Sequence, residues 1–542
     1  MSEYFTFETG NHLLMKKLLL IIAAGLLIQT ESAAQLKFQK IYGSMDIDYA
    51  NSFVSTPDGG FCLVGGTGPN MTDSSDVAVY RTDFEGNLIW STRLSGSKDD
   101  WMNDLAPTFD GYVLAGITYS SPLNPTHMDI NIIKIDDTGF IYWQKSIGGS
   151  NHDEAFRILK ANDGGYVIFG ATQSFGAVPK SALAFKIDSV GNQEWSYINS
   201  SIFSNVYYSA DKTPDGGYIA AGTSFNSISG NLDDMFVTKM DSMGIVQWTK
   251  YYGTTNADVA FDIKSTRDGG YILVGTSETN TAGSADQCVL RLDGSGNIVW
   301  VYNYGMAQYD RANSVIQKSN GNFIVSGYSN IGNPGNVLNQ MTLMEIDSLG
   351  TLLWSMGYGE VISSNESYKV VQSNNGFAIG GLTIGSSDPL GEAYLIRTDL
   401  NGTSGCFEMP MSFTRNSTIM TDGSGSTPTQ IFMGEFPLTF NVRNYINQFI
   451  SNCFTSETEE RQVLAGFSIY PNPGRDMISL EIPGGVQNGK IILRDLSGRI
   501  VMENFWTEGN SKTLNIGDLA KGMYQLNIKS DRTNRQQTFI KQ

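Results

Sequence analysis

The sequence predicts an all-β chain: a seven-bladed β-propeller closed by its N-terminal strand, followed by a small C-terminal β-sandwich. Three observations carry this. The motif Asp-x-x-Gly-x-x-x-Trp recurs at Asp83/Gly86/Trp90, Asp136/Gly139/Trp143, Asp188/Gly191/Trp195, Asp241/Gly244/Trp248, Asp293/Gly296/Trp300 and Asp347/Gly350/Trp354, and Asp399/Gly402 repeats it with Cys406 in place of the tryptophan. Successive tryptophans stand 53, 52, 53, 52 and 54 residues apart, and a fixed period near 50 residues marks a repeat architecture. Each period holds four strand-length runs joined by short turns, the content of one propeller blade.

The fifth period shows the elements in order. Residues 260–265 alternate apolar and polar, the rhythm of a half-buried strand. Asp268-Gly269-Gly270 makes a tight turn. Residues 271–274 are continuously apolar, as a strand covered on both faces must be. A variable loop spans 277–285, a third strand 286–292, a second turn 293–297 and a fourth strand 298–302. The first turn recurs at Asp58-Gly59-Gly60, Asp110-Gly111, Asp163-Gly164-Gly165, Asp215-Gly216-Gly217, Asn320-Gly321-Asn322 and Asn374-Asn375-Gly376, which makes seven units. An open ring would leave unpaired strand edges. Residues 36–43 have fourth-strand character with no first three strands before them, and the last unit stops after its third strand near Thr398. The N-terminal strand is therefore expected to complete the last blade, with 36–42 beside 393–398.

Composition narrows the function classes. The 542 residues carry a formal charge of -18, with only 17% charged residues and 59 glycines. That balance argues against nucleic acid, whose phosphates need a basic surface, and suits an exported protein that binds cations. Three histidines, His12, His127 and His152, are too few for His-rich zinc sites and argue against a Ser-His-Asp triad. Residues 1–34 read as a signal peptide: Lys16-Lys17, an apolar run over 18–28, and Ser32-Ala33-Ala34 before Gln35, with Met15 a candidate start. The run is short for a membrane span, and no later stretch reads as transmembrane. Cys62 and Cys288 sit in apolar strand patterns as buried thiols, whereas Cys406 and Cys453 flank an irregular segment where a disulfide suits an exported chain.

The propeller is thus expected over 35–405. Residues 406–462 break the period, are dense in Ser, Thr and Asn, and read as an extension and linker with strands near 430–432 and 437–442. Residues 463–542 hold strand candidates at 477–482, 490–495, 499–505, 513–516, 522–528 and 537–541, in keeping with a compact antiparallel sandwich.

Three sets of repeated residues invite functional readings. A tryptophan at one strand position per blade packs blade against blade, since burying each removes about 150–250 Å² from water. The Asp of Asp-x-x-Gly reads as a turn residue accepting backbone N–H bonds; the Asp box of sialidases is shorter and the quinoprotein docking motif one residue longer, so neither spacing matches. Ten residues after each tryptophan position stand Asp48, Asp100, Asp153, Asn205, Asp258, Asp310 and Ser364. They precede the innermost strands and are expected to ring one mouth of the central channel. The long loops 68–75, 119–128, 224–233 and 328–339, and Asp76, Asp129, Asp234 and Asp286, belong to the same face. The expectation is that this face binds a cation such as Ca²⁺ through Asp48, Asp100, Asp153, Asp258 and Asp310, or a ligand through that cation. The alternative is that each Asp fixes its own loop.

Two resemblances add to this. Gly148-Gly149-Ser150, Asp153, the Asp-Gly-Gly-aromatic turn and Asp-x-x-Gly-x-x-x-Trp resemble the bacterial SBBP β-propeller repeat and, more loosely, kelch repeats. That resemblance implies a propeller and carries no catalytic residues. Tyr470-Pro471-Asn472-Pro473, Asp495-Leu496-Ser497-Gly498-Arg499, Leu519, Gly522-Met523-Tyr524 and the strand before Lys541 resemble the type A C-terminal sorting domain of the type IX secretion system. It implies handling by the type IX machinery, export across the outer membrane of a Gram-negative bacterium, removal of the domain, and surface attachment or release. The functional expectation is an exported, non-enzymatic binding or adhesion module for an extracellular glycan or protein. The alternative is a polysaccharide hydrolase using carboxylates on the long-loop face as acid and base.

Overall fold

The structure, a computed structural model, describes residues 36–541 apart from 45, 69–74, 122–125, 177–178, 200–203, 226–231, 333–337, 386–390, 425–428, 431–432, 438–440, 445–447, 456–467, 471–474, 496–499 and 530–533. The signal-peptide segment lies outside the described residues. Two compact units divide near 456.

The first unit is the seven-bladed propeller. Each blade is an antiparallel sheet in chain order, the fifth being Asp258–Ser265, Tyr271–Ser277, Asp286–Leu292 and Ile298–Gly305. Second and third strands are buried along nearly their whole length, which is why they are continuously apolar. Closure is as expected: Lys37–Gly43 pairs antiparallel with Glu392–Asp399, Phe38 opposite Arg397 and Tyr42 opposite Ala393.

The repeated motif locks each blade to the next. Asp293 Oδ1 accepts from Ser295 N at 2.9 Å and Asn297 N at 2.8 Å, so the carboxylate shapes its own turn. Gly296 sits at φ 76°, and an added Cβ would lie 2.9 Å from Trp248 of the preceding blade. The tryptophan thus lies on the glycine, and the two positions are conjoined across the junction. In the other turn, Asp58, Asp110, Asp163, Asp215 and Asp268 pair with a Lys or Arg on the third strand; the sixth blade reverses the signs, with Lys318 on the turn and Glu345 on the strand.

Residues 408–455, expected as extension and linker, instead give every blade a fifth, outermost strand. Glu408–Pro410 pairs with the sixth blade, Thr414–Ser417 with the fifth, Thr421–Ser424 with the fourth and Thr429–Gln430 with the third. Gly434–Pro437 then joins the second, Asn441–Asn444 the first and Gln448–Thr455 the seventh, on Lys37–Gly43. The segment runs once round the ring against chain order and covers the outer edges that four-stranded blades would leave open. Met411 and Phe413 enter the core between fifth and sixth blades, Met420 that between fourth and fifth, and Met433 that between second and third. Cys406, at its start, is disulfide-bonded, while Cys62 and Cys288 are free and buried.

The second unit contains Ser468–Tyr470, Met477–Asp495, Ile500–Asn515, Gly522–Lys529 and Asn534–Lys541 in one antiparallel network. Its core is Ile478, Leu480, Ile491, Leu493, Leu514, Ile516, Tyr524 and Leu526. The runs predicted at 477–482 and 490–495 are one long strand, with a register shift between Glu481 and Val486.

Candidate functional site

The innermost strands of all seven blades line the central channel, and each carries a β-bulge midway. Register slips between Ala50 and Ser52 in the first blade, Met102 and Asp104 in the second, and Ala155 and Arg157 in the third, with equivalents in the other four. A bulge re-aims side chains, and here the bulged residue and the one after it line a channel cavity of about 120 Å³.

At this level the seven-fold repeat breaks. Asn51, Asn103 and Asn313 occupy the bulge in three blades, and each donates its amide to the carbonyl just before the next blade's bulge: Met102 O at 3.0 Å, Ala155 O at 2.7 Å and Ser367 O at 2.7 Å. Phe156, Tyr208, Phe261 and Tyr368 occupy the other four. Phe156 and Tyr208 have centroids 5.2 Å apart and Tyr208 and Phe261 5.9 Å, an aromatic arc on which Arg311 stacks 3.6 Å from Phe261.

The following position carries the charge. Asp104 Oδ1 accepts from Ser52 Oγ at 2.6 Å and Lys369 Nζ at 2.9 Å; its Oδ2 accepts from Ile158 N at 3.2 Å and lies 3.5 Å from Arg157 Nε. Asp262 accepts from Ser209 Oγ at 2.6 Å, Lys264 Nζ at 2.7 Å, Ser314 Oγ at 3.1 Å and Val315 N at 3.0 Å. Burial works against ionisation of both carboxyls, yet the cations, with Lys369 and Arg157 foremost for Asp104, hold both below the usual carboxylate range. Burial lowers Lys369 to about 8 against the pull of Asp104. For Arg157, burial is outweighed by Asp104, Asp262 and Asp211, so its charge is favoured. Arg157 Nε is buried and makes no hydrogen bond.

The residues expected as a channel-mouth metal ring lie elsewhere. Asp48, Asp100, Asp153, Asp258 and Asp310 are fully buried, begin the innermost strands, and are not among the residues lining the cavity. Four tie down the connection before their strand: Asp48 Oδ2 accepts from Ser44 N at 2.7 Å, Asp153 Oδ2 from Gly149 N at 2.8 Å, Asp258 Oδ2 from Thr254 N at 2.7 Å and Asp310 Oδ2 from Met306 N at 2.7 Å; Asp100 Oδ2 accepts from Ser120 Oγ at 2.8 Å, just past the second strand of its blade. At four junctions a third-strand carboxylate of the preceding blade joins them, as Asp76 with Asp100, Asp129 with Asp153, Asp234 with Asp258 and Asp286 with Asp310. A Cβ added to Gly305 would lie 2.3 Å from Asp286 Oδ1 and 2.7 Å from Asp310 Oδ2, so both acids share one glycine-capped space. Burial first, and the neighbouring carboxylate after it, pushes Asp100 and Asp310 up to about 7 and Asp129 and Asp258 to about 6. Among the described residues no group of three or more His, Cys, Asp or Glu side chains is placed to hold a metal ion.

Of the sorting-motif residues, Tyr470 ends its strand opposite Ser479, Gly522 opens a strand at φ 156°, and the Tyr524 hydroxyl donates to Ala520 O at 2.8 Å. Pro471, Asn472, Pro473 and Gly498 lie outside the described residues.

The bulge residues escaped the sequence reading, although a signal was present. Three and four residues after the repeated Asp, the pairs Asn-Ser, Asn-Asp, Phe-Arg, Tyr-Ser and Phe-Asp vary while their surroundings repeat.

An exported propeller carrying a sorting domain is the class these features define. Residues 468–542 match the family described as the Secretion system C-terminal sorting domain. Such a domain implies secretion machinery as a partner, and the protein is secreted or attached at the cell surface. No described helix is long and apolar enough to cross a membrane. No curated protein matches the chain. Among solved structures, a candidate gluconolactonase aligns at 10% identity and TM-score 0.30 over 67% of this chain and 93% of its own. The BSP domain of a biofilm-associated protein aligns at 10% identity and TM-score 0.12 over 94% and 95%. Likeness at that level carries no argument about function.

Proposed function

We propose that the propeller is a non-enzymatic binding module, exported through the type IX pathway, with its ligand site in the central channel. The observation that carries this is the broken symmetry of the bulge level. The turns, tryptophans and junction acids repeat around the ring because they hold the ring together. The channel side chains differ from blade to blade although the fold asks only that they fill space, and differentiated polar and aromatic groups in a concavity are what recognition uses.

A hydrolase reading lacks a matching observation. Acid–base hydrolysis of a glycoside needs one carboxyl kept protonated near neutral pH. Asp104 and Asp262 are both held ionised by adjacent cations, and the four carboxyls pushed up to about 6 or 7, Asp100, Asp129, Asp258 and Asp310, are fully buried.

The test is a thermal-shift and calorimetric screen of the mature chain against soluble glycans and surface polymers, followed by an assay for cleavage of whatever binds. Binding without turnover, weakened by substitution of Tyr208 or Phe261, is the expected outcome. Turnover, or binding indifferent to both substitutions, would refute the reading.

A further inference from the structure

Resting on the reading of the channel as the ligand site, we propose that it takes a small carboxylate-bearing sugar unit, with the carboxylate on Arg157 and the ring against Phe156, Tyr208 and Phe261.

The guanidinium is the starting point. Arginine carries five N–H donors in a fixed fork suited to a carboxylate, and a buried donor without an acceptor is costly enough to call for an explanation. Arg157 Nε is such a donor. Its nearest carboxylate, Asp104, is 3.5 Å away and already receives Ser52, Lys369 and the Ile158 amide. Asp262 is likewise served by Ser209, Lys264, Ser314 and the Val315 amide. Asp104 and Asp262 are thus well supplied with other donors, and Arg157 is among the residues that line the cavity.

The remaining chemistry narrows the ligand. Phe156, Tyr208 and Phe261 follow one another in the cavity lining, the first pair edge to face at 72° and the second tilted at 34°, with Arg311 on one face of Phe261, and together they offer aromatic surface to the C–H bonds of a sugar ring. Asp104 and Asp262 flank the guanidinium, which disfavours a compact dianion and favours one dispersed negative charge. A cavity of about 120 Å³ is well under the ~300–1,000 Å³ of drug-sized sites, so it admits one terminal unit and not a polymer segment.

The experiment is isothermal titration of the full mature chain with glucuronate and galacturonate, their neutral parent hexoses, acetate, and a short oligouronate. Arg157→Gln and Tyr208→Leu are the variants, each checked for unchanged cooperative unfolding. Saturable uronate binding is expected, with neutral hexoses silent and Arg157→Gln weaker by about ten-fold or more, the worth of a charge-assisted contact. Tyr208→Leu, which leaves the charge network intact, is expected to weaken binding too and serves if Arg157→Gln does not fold. Binding of the oligouronate as well as the free acid would place the source in a polymer's end; the free acid alone would place it in a small metabolite. Equal binding of neutral hexoses would overturn the inference while leaving the channel a binding site, and equal binding of acetate would overturn the sugar half. No uronate binding at all overturns it outright, and the wider ligand screen then decides the broader reading separately.

Discussion

Lys369 Nζ lies 2.9 Å from Asp104 Oδ1, joining the seventh blade to the second across the first. Ser52 of the first blade donates to the same carboxylate oxygen at 2.6 Å and accepts from the same ammonium at 2.6 Å. Three blades thus meet in one buried knot where N- and C-terminal blades adjoin. The knot is both part of the channel wall and part of the ring closure.

Breaking that knot one residue at a time should be costly. Lys369→Met leaves a buried carboxylate short of a partner, and removal of one member of such a pair costs roughly 3–5 kcal/mol. We expect Lys369→Met and Asp104→Asn each to destabilise by about 3 kcal/mol, with the double variant at least 1 kcal/mol better than the sum of the two. Urea denaturation of all four proteins measures this; strict additivity would mean the pair contributes nothing as a pair.

The junction acids make stability depend on pH. Asp310, pushed to about 7, faces Asp286 in a sealed space. Its folded value lies above its unfolded one, so the folded state holds more protons between pH 4 and 7 and stability falls as pH rises through that window. Asp100, Asp129 and Asp258 act in the same direction. The chain is expected to be more stable at pH 5 than at pH 8, and Asp310→Asn to gain about 2 kcal/mol at pH 8 while gaining nothing at pH 4. The fourth blade already carries Asn205 at this position, so the substitution has a precedent within the ring. Denaturation curves at the three pH values decide; a variant that is weaker at pH 8 would show that the carboxylate is needed charged.

The Trp–Gly clamp predicts a non-additive pair. Gly296→Ala places a methyl 2.9 Å from Trp248 on a backbone at φ 76°, so strain and clash together should cost about 2–4 kcal/mol. Trp248→Ala should cost about 3–5 kcal/mol. In the double variant the clash with the indole is gone, leaving a 3.1 Å approach to the Tyr252 hydroxyl and the backbone strain, and the alanine should cost only about 1–2 kcal/mol. Thermal melts of the three variants test this, and an alanine penalty unchanged by loss of the tryptophan would disprove the contact's role.

Propeller architecture, blade count and ring closure were legible because they are written in repeated residues. Gly296 and its equivalents recur since a side chain there would meet an aromatic ring of the neighbouring blade, a tryptophan at five junctions, Phe38 at Gly86 and Tyr302 at Gly350, and Asp293 recurs since it holds its own turn. Two features were not legible. The outer strands of 408–455 lack a strand signature because each is only two to eight residues long and gains its partner from a blade far away in sequence; Met411, Phe413, Met420 and Met433 were the apolar trace of a path that only the closed ring defines. The junction acids were placed in the channel because they start the innermost strands. That position fixes which end of the strand they occupy but not which way the side chain turns, and here it turns between blades.

The outer strands lead to the last prediction. The segment leaves the last blade at disulfide-bonded Cys406, passes the other six blades, and returns on Gln448–Thr455, where Cys453 stands opposite Gln39; the Gln39 amide in turn donates to the Cys406 carbonyl. With Cys62 and Cys288 free, Cys453 is the remaining cysteine. We expect peptide mapping of the exported protein to recover a Cys406–Cys453 link. Closing a loop of nearly fifty residues removes denatured-state freedom worth about 4 kcal/mol. Cys406→Ser and Cys453→Ser should each lose that amount and the double variant no more, since either change opens the same hoop. Reduction of the wild type should match them, and the single-serine variants should be indifferent to reductant. Unequal losses from the two serine variants, or a wild-type melt insensitive to reductant, would mean the ring is held by its strands alone.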